Sequence, residues 1–140
     1  MTLFIFLFAI IAAAQTGRAG TATIKITGFD FSVAGEYPAT LCGGDFALGK
    51  GMVYQAQAGE YRITIASEAR ASGVVPLNLK NGNVNVTAVV NGKGKNLVRH
   101  PRNGGKLTVS SDYKKAEATL ELRPVVGQGT ATLNATFVCK

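Results

Sequence analysis

One histidine, His100, and two cysteines, Cys42 and Cys139, are all the imidazole and thiol chemistry this 140-residue chain can offer. A lone imidazole cannot supply the several nitrogen and sulfur ligands of a typical zinc site, and no carboxylate lies near His100 in sequence to orient it as a general base. Set among Arg99, Pro101 and Arg102, it reads as a loop residue. Glu117 and Glu121 fall on one face if their segment is a strand, the sort of pairing a glycosidase needs. Thr119 between them, with Lys114, Lys115 and Arg123 alongside, describes a solvated face instead. Gly92-Lys93-Gly94 and Gly127-Gln128-Gly129 lack the strand-to-helix setting in which a glycine loop cradles phosphate, and they read as turns. Asn85-Val86-Thr87 and Asn134-Ala135-Thr136 match the glycosylation acceptor pattern but fall inside strand-like segments. No catalytic residue, metal ligand or cofactor site is assigned, and the chain reads as a non-enzyme.

Charge is the stronger signal. Fifteen Lys and Arg against eight Asp and Glu give a net charge of +7. Between Ala69 and Ser111 lie Arg70, Lys80, Lys93, Lys95, Arg99, Arg102 and Lys106 with no acid, and elsewhere the two signs balance. The densest part, residues 91–106, is rich in Gly and Asn and reads as a mobile loop or a pair of turns around Leu97-Val98. Lys93, Lys95, Arg99, Arg102 and Lys106 are therefore the candidate anion-binding residues, suited to an acidic polysaccharide, a teichoic-acid-like polymer or lipid head groups. Nucleic acid is disfavoured because no aromatic side chains are interleaved there for bases to stack on. The same charges would also serve simply to keep a loop solvated and sheet edges apart.

Residues 1–14, MTLFIFLFAIIAAA, have no charged side chain, an apolar run from Leu3 to Ile11 and a closing Ala12-Ala13-Ala14. They read as a signal peptide cleaved after Ala14, with Ala19 or Gly20 as later cleavage points, and the run is too short for a membrane span. Residues 15–140 are then a single secreted or periplasmic domain, in a compartment where Cys42 and Cys139 can pair. The alternative for that pair, a reactive thiol or metal site, lacks helper residues.

Period-two alternation dominates the rest. Ala116, Ala118, Leu120 and Leu122 share one face of a strand, while Glu117, Thr119, Glu121 and Arg123 share the other. The same pattern sets Ile24 and Ile26 inward, then Phe29, Phe31 and Val33, then Tyr61, Ile63 and Ile65, and finally Ala131, Leu133, Ala135, Phe137 and Cys139. Asn81-Gly82, between Val75-Leu77-Leu79 and Val84-Val86-Ala88-Val90, predicts a hairpin over 75–90. Ser111-Asp112-Tyr113-Lys114 predicts a second, joining 107–109 to 116–123. With 17 glycines, 8% aromatics and no helical periodicity, the expectation is all-β: an antiparallel β-sandwich or flattened barrel of about 8–9 short strands with one disulfide. Cys42 lies out of phase with Ala39 for a plain strand. Either a bulge near Gly43-Gly44 re-aims it or Leu41 faces outward.

An early Ile24-Lys25-Ile26 strand, the cysteine in Ala39-Thr40-Leu41-Cys42, a Gly/Asn-rich middle and a terminal Phe137-Val138-Cys139-Lys140 resemble the mycobacterial 19-kDa lipoprotein antigen family and similar small exported bacterial β-proteins. The resemblance implies an exported, disulfide-linked β-domain at the cell envelope without known catalysis. The chain departs from that family in having no cysteine after the leader for lipid attachment. The functional expectation is a non-enzymatic envelope or extracellular protein that binds by surface contacts, its partner an anionic envelope polymer or a protein. The alternatives are a secreted hydrolase inhibitor presenting a loop and a structural or adhesive envelope component.

Overall fold

The computed structural model describes residues 20–28, 30–46, 50–101 and 104–140. Residues 1–14, read from sequence as a signal peptide, lie outside them, as do Phe29 and Arg102. The described residues contain ten strands and no helix: β1 (Gly20–Gly28), β2 (Phe31–Phe46), β3 (Gly51–Ala58), β4 (Tyr61–Ser67), β5 (Gly73–Val75), β6 (Val86–Gly92), β7 (Lys95–Arg99), β8 (Gly105–Val109), β9 (Lys115–Pro124) and β10 (Ala131–Cys139). All pairings are antiparallel, in the order β10-β1-β2-β3-β4-β6-β7-β9, and β9 pairs again with β10 to close an eight-stranded barrel. β8 and β5 extend from β9 as two extra strands.

The alternation read from sequence fills the barrel. Ala116, Ala118, Leu120 and Leu122 are buried, Glu117 is exposed and Glu121 half-buried. Across the β1, β10 and β9 wall, Phe137 sits between Ala22 and Ala116, Ile24 opposes Ala135, and Ile26, Leu133 and Leu120 form one row. Small residues beside large ones let an eight-stranded interior pack solid rather than enclose a channel. A two-residue turn, Lys93-Gly94, joins β6 to β7, with φ of 48° and 70°. Two successive left-handed residues match the twist of the flanking strands.

The predicted 75–90 hairpin does not form. Val75 pairs with Leu107 of β8, β6 pairs with β4, and Asn81-Gly82 closes only a local turn with an isolated Asn78–Val84 bridge. Pro76 explains the break: without an N–H it cannot extend the ladder beyond Val75. The second predicted hairpin is present, with β8 and β9 joined through residues 110–114.

The parity of Cys42 is settled by a bulge at Thr40, three positions before the glycines. Ala39 opposes Ala56 and Leu41 opposes Gln55, so Thr40 is an extra residue on β2. That single insertion turns Ala39 and Cys42 both inward and leaves Leu41 half-buried on the other face. A second shift, between Cys42 and Gly44, follows directly.

Candidate functional site

Strand directions give the barrel two ends. The short turns β1–β2, β3–β4 and β6–β7 and the β9–β10 loop lie at one end. The β2–β3, β4–β6 and β7–β9 connections lie at the other, with Gly20 and Cys139.

Cys42 and Cys139 are joined in a disulfide, with Cα atoms 5.5 Å apart across 97 positions of chain, and no described cysteine is free. The 110–114 loop folds over this link. The Tyr54 hydroxyl donates to the Tyr113 carbonyl at 3.0 Å, and the Arg70 guanidinium lies 4.3 Å from the Tyr113 ring centroid. Gly43, at φ 67°, approaches so near that a Cβ would sit 2.6 Å from that same carbonyl. Arg70 also pairs with Asp45 at 3.5 Å. Burial pushes the Tyr54 phenol up to about 12, against the opposing charge of Arg70. These groups seal the end of a core, and both sulfurs belong to buried residues.

Of the five basic residues singled out by sequence, the four described ones, Lys93, Lys95, Arg99 and Lys106, are spread over different parts of the barrel. Lys93 occupies the β6–β7 turn and pairs with Glu60 at 2.7 Å. Lys95, at the same end, stands 5.4 Å from the Phe31 ring centroid. Arg102 lies outside the described residues. Arg99 is not on a loop surface: it ends β7, is 6% exposed, donates from Nε to the Val86 carbonyl at 2.7 Å, and donates from Nη2 to the Leu77 carbonyl at 3.2 Å and Asn78 Oδ1 at 2.6 Å. Burial holds its pKa below the usual arginine value. It follows Leu97 on the inward face of β7, so strand parity takes it into the barrel, where backbone carbonyls replace water around its charge. The backbone N–H of His100 donates to the Glu121 carbonyl at 2.8 Å.

Lys95 borders a hollow of about 270 Å³ beside Val125 and Val126, Arg99 borders one of about 250 Å³ with Val89 and Pro101, and Lys106 borders the larger groove of the outer wall. On the outer wall of β8, β9, β10 and β1, a groove of about 350 Å³ is lined by Thr23, Lys25, Lys106, Glu117, Asn134, Thr136 and neighbouring residues. Register gives it order. One cross-strand row runs Lys106, Thr119, Asn134, Lys25, with a lysine at each end. The adjacent row runs Thr108, Glu117, Thr136, Thr23, Glu36, with carboxylates toward both ends. Strand spacing puts the two lysine Cα atoms roughly 14 Å apart, and the rows are roughly 7 Å from one another.

Within the groove the Thr119 hydroxyl donates to Asn134 Oδ1 at 3.0 Å, which turns the Asn134 amide N–H₂ into the free donor. Glu117 accepts from Lys115 Nζ at 2.9 Å, and that bond, with the Lys115 and Lys106 charges, holds its carboxyl below the usual range. Neither Lys25 nor Lys106 makes an ion pair within 4.0 Å among the described residues. Glu117 and Glu121 lie four residues apart on one strand, their Cα atoms separated by roughly 13 Å, and Glu117 is engaged by Lys115. Among the described residues no group of three His, Cys, Asp or Glu side chains could hold a metal ion. No helix there is long and apolar enough to cross a membrane.

Lys25 was invisible as a site residue in the sequence because it lies in the charge-balanced part of the chain. The period-two runs Thr21-x-Thr23-x-Lys25-x-Thr27 and Thr132-x-Asn134-x-Thr136 were the available signal. Only the β1–β10–β9–β8 register brings them beside Lys106. No family model, no curated protein and no solved structure matches the chain.

Proposed function

We propose that the protein is an exported, non-enzymatic binding protein that engages an anionic polymer of the cell envelope or extracellular space through the wall groove. The observation that carries this reading is the cross-strand row with Lys106 and Lys25 at its ends, both without ion-pair partners while carboxylates lie in the next row. Exposed ammonium groups without a direct ion-pair partner, on a rigid, disulfide-tied wall, attract counter-charge without the entropic cost of ordering a loop. The disulfide suits an oxidising compartment, and export to the envelope agrees with the resemblance to the lipoprotein antigen family.

Titration of the oxidised protein with polyphosphate and with polygalacturonate, at low and high salt, tests it. Binding to at least one polymer should weaken steeply as salt rises. Lys25→Gln with Lys106→Gln should remove it, whereas Lys93→Gln with Lys95→Gln should leave most of it. Retention by the first double variant would overturn the groove as the site.

A second reading, a loop presented to a hydrolase, is favoured by one observation. The β9–β10 loop exposes Val125 at 58% and Val126 at 86% of their surfaces. In that case Val125→Ser with Val126→Ser would abolish a protein complex that salt barely affects.

A further inference from the structure

Resting on the groove reading, we infer that the polymer it holds is a polyuronate, a sugar chain carrying carboxylates and hydroxyls. The two rows ask for different chemistry at a fixed separation. The Lys106–Thr119–Asn134–Lys25 row offers two ammonium groups and, between them, an amide donor already oriented by Thr119. It is a surface for acceptors bearing negative charge. The neighbouring row offers Glu117, one oxygen of which is held by Lys115, with Thr108, Thr136 and Thr23, and it continues on β2 to Glu36, just beyond the lining of the groove. Ionised carboxylates accept hydrogen bonds and cannot donate them. A ligand lying across both rows must therefore present anions toward one and hydroxyl donors toward the other.

A polyphosphate fails part of this requirement, because its bridging and terminal oxygens only accept and can give no hydrogen bond to the remaining oxygens of Glu117 and Glu36. A nucleic acid would bring stackable bases to a groove with no aromatic side chain among its lining residues. A neutral glucan satisfies the threonines and glutamates and leaves both lysines unmatched. A polyuronate meets every group: carboxylates for Lys25 and Lys106, ring hydroxyls for Glu117 and Glu36, and either for the threonines. The lysine separation, about three strand spacings, suits two carboxylates of one extended chain better than a single small anion.

Calorimetric titration with polygalacturonate, polyphosphate of matched charge and neutral dextran separates the possibilities. Polygalacturonate is expected to bind about tenfold or more tighter than either, since each charge-assisted hydrogen bond is worth that much. The decisive variant is Glu36→Gln with Glu117→Gln, folded as judged by an unchanged thermal midpoint. It should weaken polygalacturonate binding and strengthen polyphosphate binding, an inversion that general electrostatics cannot give, because removing negative charge would help both. Polyphosphate binding as tightly as polygalacturonate, or the variant strengthening both, overturns the polyuronate assignment and leaves the anionic-polymer reading standing. Binding of neither polymer overturns both.

Discussion

The two ends of the barrel are closed by different means. At the end with short turns, hairpins such as Lys93-Gly94 return the chain directly, and ring contact between Phe31 and Tyr61, centroids 5.0 Å apart, covers the core. At the other end the β4–β6 and β7–β9 connections are long, and this end is fastened by side chains: the Cys42–Cys139 link, Tyr54 on the Tyr113 carbonyl, and Arg99 on Leu77, Asn78 and Val86. A long connection leaves backbone groups without ladder partners and leaves the core to be covered by chain that has no strand to follow. Buried polar side chains and a covalent bond do there what turn geometry does at the opposite end.

Stability measurements can break that contrast. The largest effect is expected from Cys42→Ala with Cys139→Ala, which frees a 97-residue separation and should destabilise by roughly 4–5 kcal/mol in the loop-entropy picture; denaturant unfolding of oxidised wild type against the variant reads it. Next, Arg99→Met keeps the aliphatic stem and removes the donors from three acceptors, so a loss of about 2–3 kcal/mol is expected. An Arg99 change with no loss of stability would mean that this end is held by the disulfide alone.

The third measurement is pH. The Tyr54 phenol is raised from 10.0 to about 12 in the folded protein, chiefly by burial. Its neutral form therefore contributes stability that is complete below pH 10 and is lost as pH rises through about 12. Tyr54→Phe should flatten the fall in stability over that window, read from denaturant midpoints at stepped alkaline pH. The smallest effect belongs to the short-turn end: Val125→Ser with Val126→Ser should change stability by less than about 0.5 kcal/mol, as exposed positions do. A larger loss would show that the loop covers core after all.

Much of the barrel was legible in the sequence because one face of each strand is dry. Ala116 through Leu122, Ile24 with Ile26, and Leu133 with Phe137 announce themselves by period two, and their burial follows. Asn81-Gly82 misled because a turn signal is local, while the strand it was to join is cut by Pro76 and captured by β8. The basic stretch shows a different limit of sequence reading. Charge density along the chain is not charge density in space: strand parity buries Arg99 on β7 and leaves Lys106 exposed on β8. The groove was not legible at all, since its rows are drawn from four strands whose register depends on the closure of the ring.

That closure sets a timetable. Gly20 pairs with Cys139, so the first strand's partner on one side is the last of the ten strands to be made. β1 and the partly assembled wall carry an unsatisfied edge until β10 emerges, and the ring can shut only after a search across the whole barrel. Such distant pairing places the protein among slow folders, with aggregation-exposed intermediates. The step that completes the wall groove is also the last to occur, since Asn134 and Thr136 enter it with β10.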